Sequence, residues 1–179
     1  MTPALIHGDH VSCSRVGGSM RRESSRLRQH ARSLDDALGE LAGWIGPEAE
    51  PARAAIAATI RALRAIADDL DEAGAALQGY ATELAEDHEL GRRAEQRVED
   101  AGLLLDGSRV VEPWGSAHAA EADRRRAQVL VVQARVDFAT AGVGRARGRL
   151  GREMRRLAQA FSEHSRAADP VWQTPLPPR

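Results

Sequence analysis

The sequence predicts an all-α fold, a bundle of long antiparallel helices built on a helix-turn-helix hairpin. Alanine is abundant while aromatic residues make up only 3% of the chain, and alanine loses no side-chain entropy in a helix. Apolar residues recur at alternating spacings of three and four, the seam of an amphipathic helix packed lengthwise on a neighbour. Glycine and proline cluster at a few places only, and those clusters divide the periodic segments.

From the N-terminus, Met1 to about Gly18 shows no periodicity and is expected to be a flexible tail, residues 1–18. The first helix is expected from Val16 or Met20 to Gly43, on the seam Leu27, Ala31, Leu34, Leu38, Leu41 and Ile45. Gly43, Gly46, Pro47 and Pro51 then place a corner between Trp44 and Pro51, because proline has no amide to donate and glycine relaxes the backbone. The second helix carries Ile56, Ile60, Leu63, Ala67, Leu70, Gly74, Leu77, Ala81 and Leu84, and continues more weakly through His88, Ala94, Val98 and Ala101. At more than about 40 residues it is a rod, against a mean helix length of about 11. Residues 106–117, within LLLDGSRVVEPWGSA, read as a connection. A third helical region, residues 118–166, carries the stripe Val129, Val132, Val136, Val143, Leu150, Met154, Leu157 and Phe161. Glycines at 142, 144, 148 and 151 each cost up to about 1 kcal/mol in a helix interior, so a kink or break is expected there. A Pro-rich tail, residues 167–179, closes the sequence.

The 179 residues carry a formal charge of -1, which gives the whole molecule no general attraction to nucleic acid or anionic membrane. Cys13 is the only cysteine, so no intramolecular disulfide and no Cys/His zinc framework is expected. The first residues lack the basic and apolar regions of a signal peptide, and no stretch approaches the ~18 apolar residues of a membrane span. A soluble chain is therefore expected. Charge is divided within the chain: seven arginines against fifteen acids from Pro47 to Glu112 give -8, and eleven against five from Gly115 to Arg166 give +6. The basic runs ADRRRAQ and GRARGRLGREMRR are read as a face lying on or near the acidic rod. Arginine-mediated nucleic-acid binding is the minor alternative, without the aromatic interleaving of a single-strand platform.

No active site is found. GVGRARG has no preceding strand, so neither a dinucleotide fingerprint nor a P-loop is supported. His7 and His10 lack further ligands at helical spacing, and no metal or cofactor is expected. His88 falls on the second helix's seam and is expected to be a hydrogen-bonded interface residue. Asp68, Asp69, Asp71 and Glu72 point around more than half a helix circumference, which argues against an acid/base pair.

The stretch LGELAGWIGPEAEPARAAIAATIRALRAIADDLDEAGAALQGYATELAEDHEL sets Trp-x-Gly, at Trp44, Ile45 and Gly46, in the turn between two heptad rods, with Tyr80 in the second. It resembles the WXG-type helical hairpins handled by type VII secretion systems, and the N-terminal signal-like domains of larger type VII substrates. The resemblance implies a WXG-like hairpin over residues 19–105 and a non-enzymatic function carried by helix-bundle association. Trp44, Gly46 and Tyr80 would then be the motif and partner-binding residues. The implied partner is another helical protein, a WXG-like protein or a second copy, with the type VII machinery and a signal-peptide-independent export route behind it. The chain departs from the family in one respect: the export signal places an acid four residues after the tyrosine, where this sequence has Leu84, with Glu83 one place early. A cytoplasmic coiled-coil adaptor with no secretion role is the alternative. On physical grounds alone, Trp44 is expected to act as a lid over the open apolar end of the hairpin. The third region is expected to pack on the hairpin, covering seams that two helices would leave in water.

Overall fold

The computed structural model describes residues 5–113 and 119–172. Among the described residues the fold is all-α, a helical bundle of three helices: α1 (His10–Glu40), α2 (Ala49–Asp100) and α3 (Ala119–Trp172), with a short 3-10 turn over Leu41–Gly43. A two-stranded antiparallel hairpin, β1 (Leu104–Asp106) and β2 (Arg109–Val111), separates α2 from α3. The helices contribute to two compact units, one of residues 1–13 and 79–150, the other of residues 14–78 and 151–179.

In the first unit α2 and α3 run antiparallel. Ala94 and Val98 of α2 pack with Val132 and Val136 of α3, together with Leu103 and Val110 of the hairpin region. Further along, Leu84 packs with Ala139, Val143 and Ile6. Leu84 and Val136 are essentially inaccessible to solvent. Ile6 belongs to the segment expected as a tail, and α1 begins at His10, well before Val16. Asp9 explains the start: its Oδ1 accepts the amides of Val11 (3.0 Å) and Ser12 (3.1 Å), and Ser12 Oγ donates to its Oδ2 (2.5 Å), an N-cap that satisfies otherwise orphaned donors. The preceding residues are tied down by the Leu5 amide on Glu95 (2.6 Å) and by Arg147 on the His7 carbonyl (2.8 Å).

α2 ends in a Schellman arrangement. The Leu103 amide bonds to the Val98 carbonyl (2.9 Å) and the Gly102 amide to that of Glu99 (2.8 Å), with Gly102 at φ 65° supplying the left-handed residue. Leu103 and Val98 share a core cluster, which adds the hydrophobic contact that accompanies this cap. The stretch read as a plain connection then holds the β-hairpin. Gly107 (φ 61°) alone takes the positive φ of the two-residue loop, the pattern of a type II′ turn. Gln133 of α3 holds the hairpin, accepting from the Val110 amide (2.7 Å) and donating to the Ser108 carbonyl (2.9 Å).

In the second unit α1 lies antiparallel to α2. Its buried positions are Gly17, Ser24 and Ala31, seven residues apart and all small. Facing them, α2 buries Ile60, Ala67 and Gly74 at the same interval. The outer residues of the expected α1 seam, Leu41 and Ile45, are exposed. α3 contributes Leu157 to the buried set.

α3 is continuous across Gly142 to Gly151, contrary to the expected kink or break. Gly142 has a packing reason: a methyl group there would collide with the Asp87 carboxylate. The cost of a glycine is offset where its bareness admits a close neighbour. α3 also runs through Trp172, past the expected end at residue 166; of the expected C-terminal tail, residues 173–179 lie outside the described residues, as do residues 1–4 of the N-terminal one.

Candidate functional site

The turn between α1 and α2 holds two of the three motif residues. The Trp44 amide bonds back to the Leu41 carbonyl (3.0 Å), closing the 3-10 turn, and Trp44 itself is extended at φ -72°, ψ 121°. Gly46 takes φ 144°, a conformation that L side chains rarely adopt, with open space where a Cβ would stand. Its glycine therefore answers to backbone geometry and not to packing. The Gly46 carbonyl accepts the Ala49 amide (3.1 Å), so the turn leads directly into α2, where Pro51 sits in the first turn and needs no amide partner.

One side chain fastens this turn. Arg53 of α2 donates through Nη1 to the carbonyls of Trp44 (2.8 Å) and Leu41 (3.5 Å), and through Nη2 to Glu50 (2.5 Å). The guanidinium holds the chain at the start of the Trp-Ile-Gly segment. Ile45 is 92% exposed, Trp44 41% and Leu41 37%. Trp44 is thus no lid.

Tyr80 belongs to the other compact unit. It is half-buried, packed against the cluster of Ile6, Leu84, Ala139 and Val143. Leu84, at the position where the export signal of the resembled family needs an acid, is fully buried in that cluster. A carboxylate there would be desolvated among apolar side chains.

The acidic turn of α2 is shared between two neighbours. Asp68 pairs with Arg28 of α1 (2.8 Å) and Asp71 with Arg21 of α1 (3.1 Å). Asp69 meets His164 of α3 (2.8 Å) and Glu72 meets Arg156 of α3. Arg156 also binds Glu153 (2.7 Å), and these two carboxylates push its pKa up, Glu153 contributing more. The expected contact of the basic third region with the acidic rod is present here, and in the first unit as Arg149 on Glu83 (2.7 Å).

Sequence reasoning did not anticipate the group around Asp87 and His88. Asp87 is buried facing Gly142, and burial, reinforced by the Glu83 charge, pushes its pKa up. His88 is not the hydrogen-bonded interface residue expected: its Nε2 is buried without a partner, and its ring stands edge-on to that of His10 at 5.6 Å. Among the described residues no group of histidine, cysteine and acidic side chains could hold a metal ion, and no helix is long and apolar enough to cross a membrane.

Fold and surface together define a helical bundle with an apolar turn on display. Comparison with protein-family models, with curated proteins and with solved structures finds no match.

Proposed function

We propose that this chain is a non-enzymatic, helix-mediated binding protein of the type VII substrate or partner class, and that the Trp44-Ile45-Gly46 turn is its recognition element. The observation that carries the reading is the display of the turn. Arg53 holds the Leu41 and Trp44 carbonyls while Ile45 stands in solvent and Trp44 keeps two fifths of its surface exposed. A pre-ordered turn with aromatic and aliphatic anchors gains contact area on binding with little further ordering cost. The resemblance of the same residues to the WXG turn supplies the type VII part.

The departure at Leu84 shapes the proposal. With no acid four residues after Tyr80, the chain travels as the passive member of a helical pair, its partner carrying the signal. The test is to express the tagged full chain in a host with a working type VII system and in the same host lacking the type VII ATPase. Export that depends on the ATPase, and that falls with Trp44→Ala more than with Tyr80→Phe, supports the reading. Retention inside both hosts leaves the cytoplasmic adaptor as the function. Loss on Tyr80→Phe with Trp44→Ala unaffected would place the recognition element on α2 instead.

A further inference from the structure

On the first unit, a groove of about 550 Å³ runs between the C-terminal part of α2 and the N-terminal part of α3. Its apolar wall is Leu90 and Ala94 from α2, with Val131, Ala134 and Phe138 from α3. Phe138 is 63% exposed and Val131 64%, and Leu130 beside them is 71% exposed. Leu130, Ala134 and Phe138 follow one another at intervals of four, so they form a continuous ridge along α3. Such a ridge on a helical rod is the geometry that receives another helix.

The charges along the groove select the occupant. Arg93, Arg97 and Arg135 line it, with no acid among its lining residues. Arg93 is engaged by Glu89 (3.1 Å). Arg97 and Arg135 are exposed and have no ion-pair partner among the described residues. Asp100 lies at the adjoining end and is taken up by Gln96 (3.0 Å). The groove and its adjoining end reach from Leu90 to Ala101, about 16 Å or three turns at 1.5 Å per residue.

We infer that this groove docks an acidic amphipathic helix of a partner protein, its apolar face on the Phe138 ridge and its carboxylates on Arg97 and Arg135. A second copy seated groove on groove fits less well, because it would bring two sets of these arginines together with no acid of the lining between them. The remaining parts of the chain do not suit the site either: residues 1–4 (MTPA), 114–118 (WGSAH) and 173–179 (QTPLPPR) contain no acidic side chain. The surface lies in a different unit from the Trp44 turn, so the two proposals succeed or fail separately.

The test uses the full chain and a fluorescein-labelled synthetic four-turn peptide, with leucine at helical i, i+3, i+4 and i+7 spacing and glutamate on the opposite face. A twin with lysine in place of glutamate serves as the comparison. Fluorescence anisotropy should show the glutamate peptide binding at least about tenfold more tightly than its twin, and weakening with salt. Phe138→Asp should lose the binding, and Arg97→Glu with Arg135→Glu should reverse the preference. Both sites are exposed, so circular dichroism and melting should match the parent chain; should Phe138→Asp fold poorly, the arginine pair alone decides. Equal binding of the two peptides, or binding that survives the charge reversal, overturns the inference. So does a dimer in sedimentation velocity that Phe138→Asp dissolves, or displacement of the peptide by a DNA duplex at lower concentration.

Discussion

Gly17 and Gly74 touch backbone to backbone: a methyl group on either would stand 2.6 Å from the carbonyl oxygen of the other. Replacing Gly74 or Gly17 by leucine should therefore push α1 off α2, at an overpacking cost of about 1–3 kcal/mol. Gly39 is the internal control, since nothing lies within 4 Å of its would-be Cβ. Gly39→Ala should raise stability by about 0.4–1 kcal/mol through the unfolded chain. Thermal melts of the three variants, at ~2–4 °C per kcal/mol for a chain of this size, separate the two effects.

Asp87 makes stability depend on pH. Burial raises its folded-state pKa above the ordinary 3.8, with Glu83 and Glu86 adding to the rise and Arg145 and Arg149 opposing it. Between 3.8 and that raised value the folded chain binds more protons than the unfolded one, so this group's contribution falls as pH rises through the folded pKa. Above it, the native state carries a desolvated carboxylate. Asp87→Asn should stabilise the protein at neutral pH, and the gain should vanish as the pH approaches 3.8. Urea unfolding at a series of pH values checks this, and a gain that grows toward acid would contradict it.

The inter-helix ion pairs predict near-indifference to salt. Arg21, Arg28, Arg64, Arg149 and Arg156 all pair across helices from side chains between 37% and 54% exposed. Raising salt to ~1 M, where the screening length is ~3 Å, should leave the melting temperature nearly unchanged. Leu157→Asp, which places a charge at a buried position of α3, should lower it sharply in every buffer.

Truncation near Leu105 tests what α3 does for α2. Removing Val132, Val136, Ala139 and Val143 uncovers Leu84, Ala94 and Val98. The shortened chain should aggregate, dimerise or lose cooperative unfolding, as read by light scattering and calorimetry. A cooperative monomer would show that α3 is dispensable to the fold and free for other contacts.

The α2 seam was legible in the sequence because burial there follows spacing: Ile60, Ala67, Gly74, Ala81 and Leu84 are all buried, and Ile56, Leu63, Leu70 and Leu77 partly so. The start of α1 was not. Its buried stripe of Gly17, Ser24 and Ala31 has no large apolar member, so a hydrophobic pattern passes over it, and Gly17 falls in the stretch expected as a tail because its partner Gly74 is not visible in the sequence. Gly142 misleads for the same reason, with Asp87 as the unseen neighbour. The hairpin did leave a signal, Asp106-Gly107-Ser108 between LLL and VV, which composition alone turned into a loop. For the candidate site, sequence located the turn at Trp44 and Gly46 but not its exposure. That depends on Arg53 bonding to backbone, a contact with no spacing rule behind it.

The four acids of Asp68 to Glu72 have a further consequence for how the rods choose their alignment. Stripes of small residues repeating every seven positions nearly match themselves after a shift of one repeat, about 10 Å along the axis. For α1 the close contact of Gly17 with Gly74 already opposes such a shift, since it would set Ala67 or Ser24 where the backbones leave room only for glycine. The acidic turn occurs once. By engaging Arg28 and Arg21 on one side and Arg156 and His164 on the other, it works as an index mark. A slide in either rod breaks every pair on that side together, so charges that add little to the depth of the native well add to what the glycine contact does in fixing the alignment.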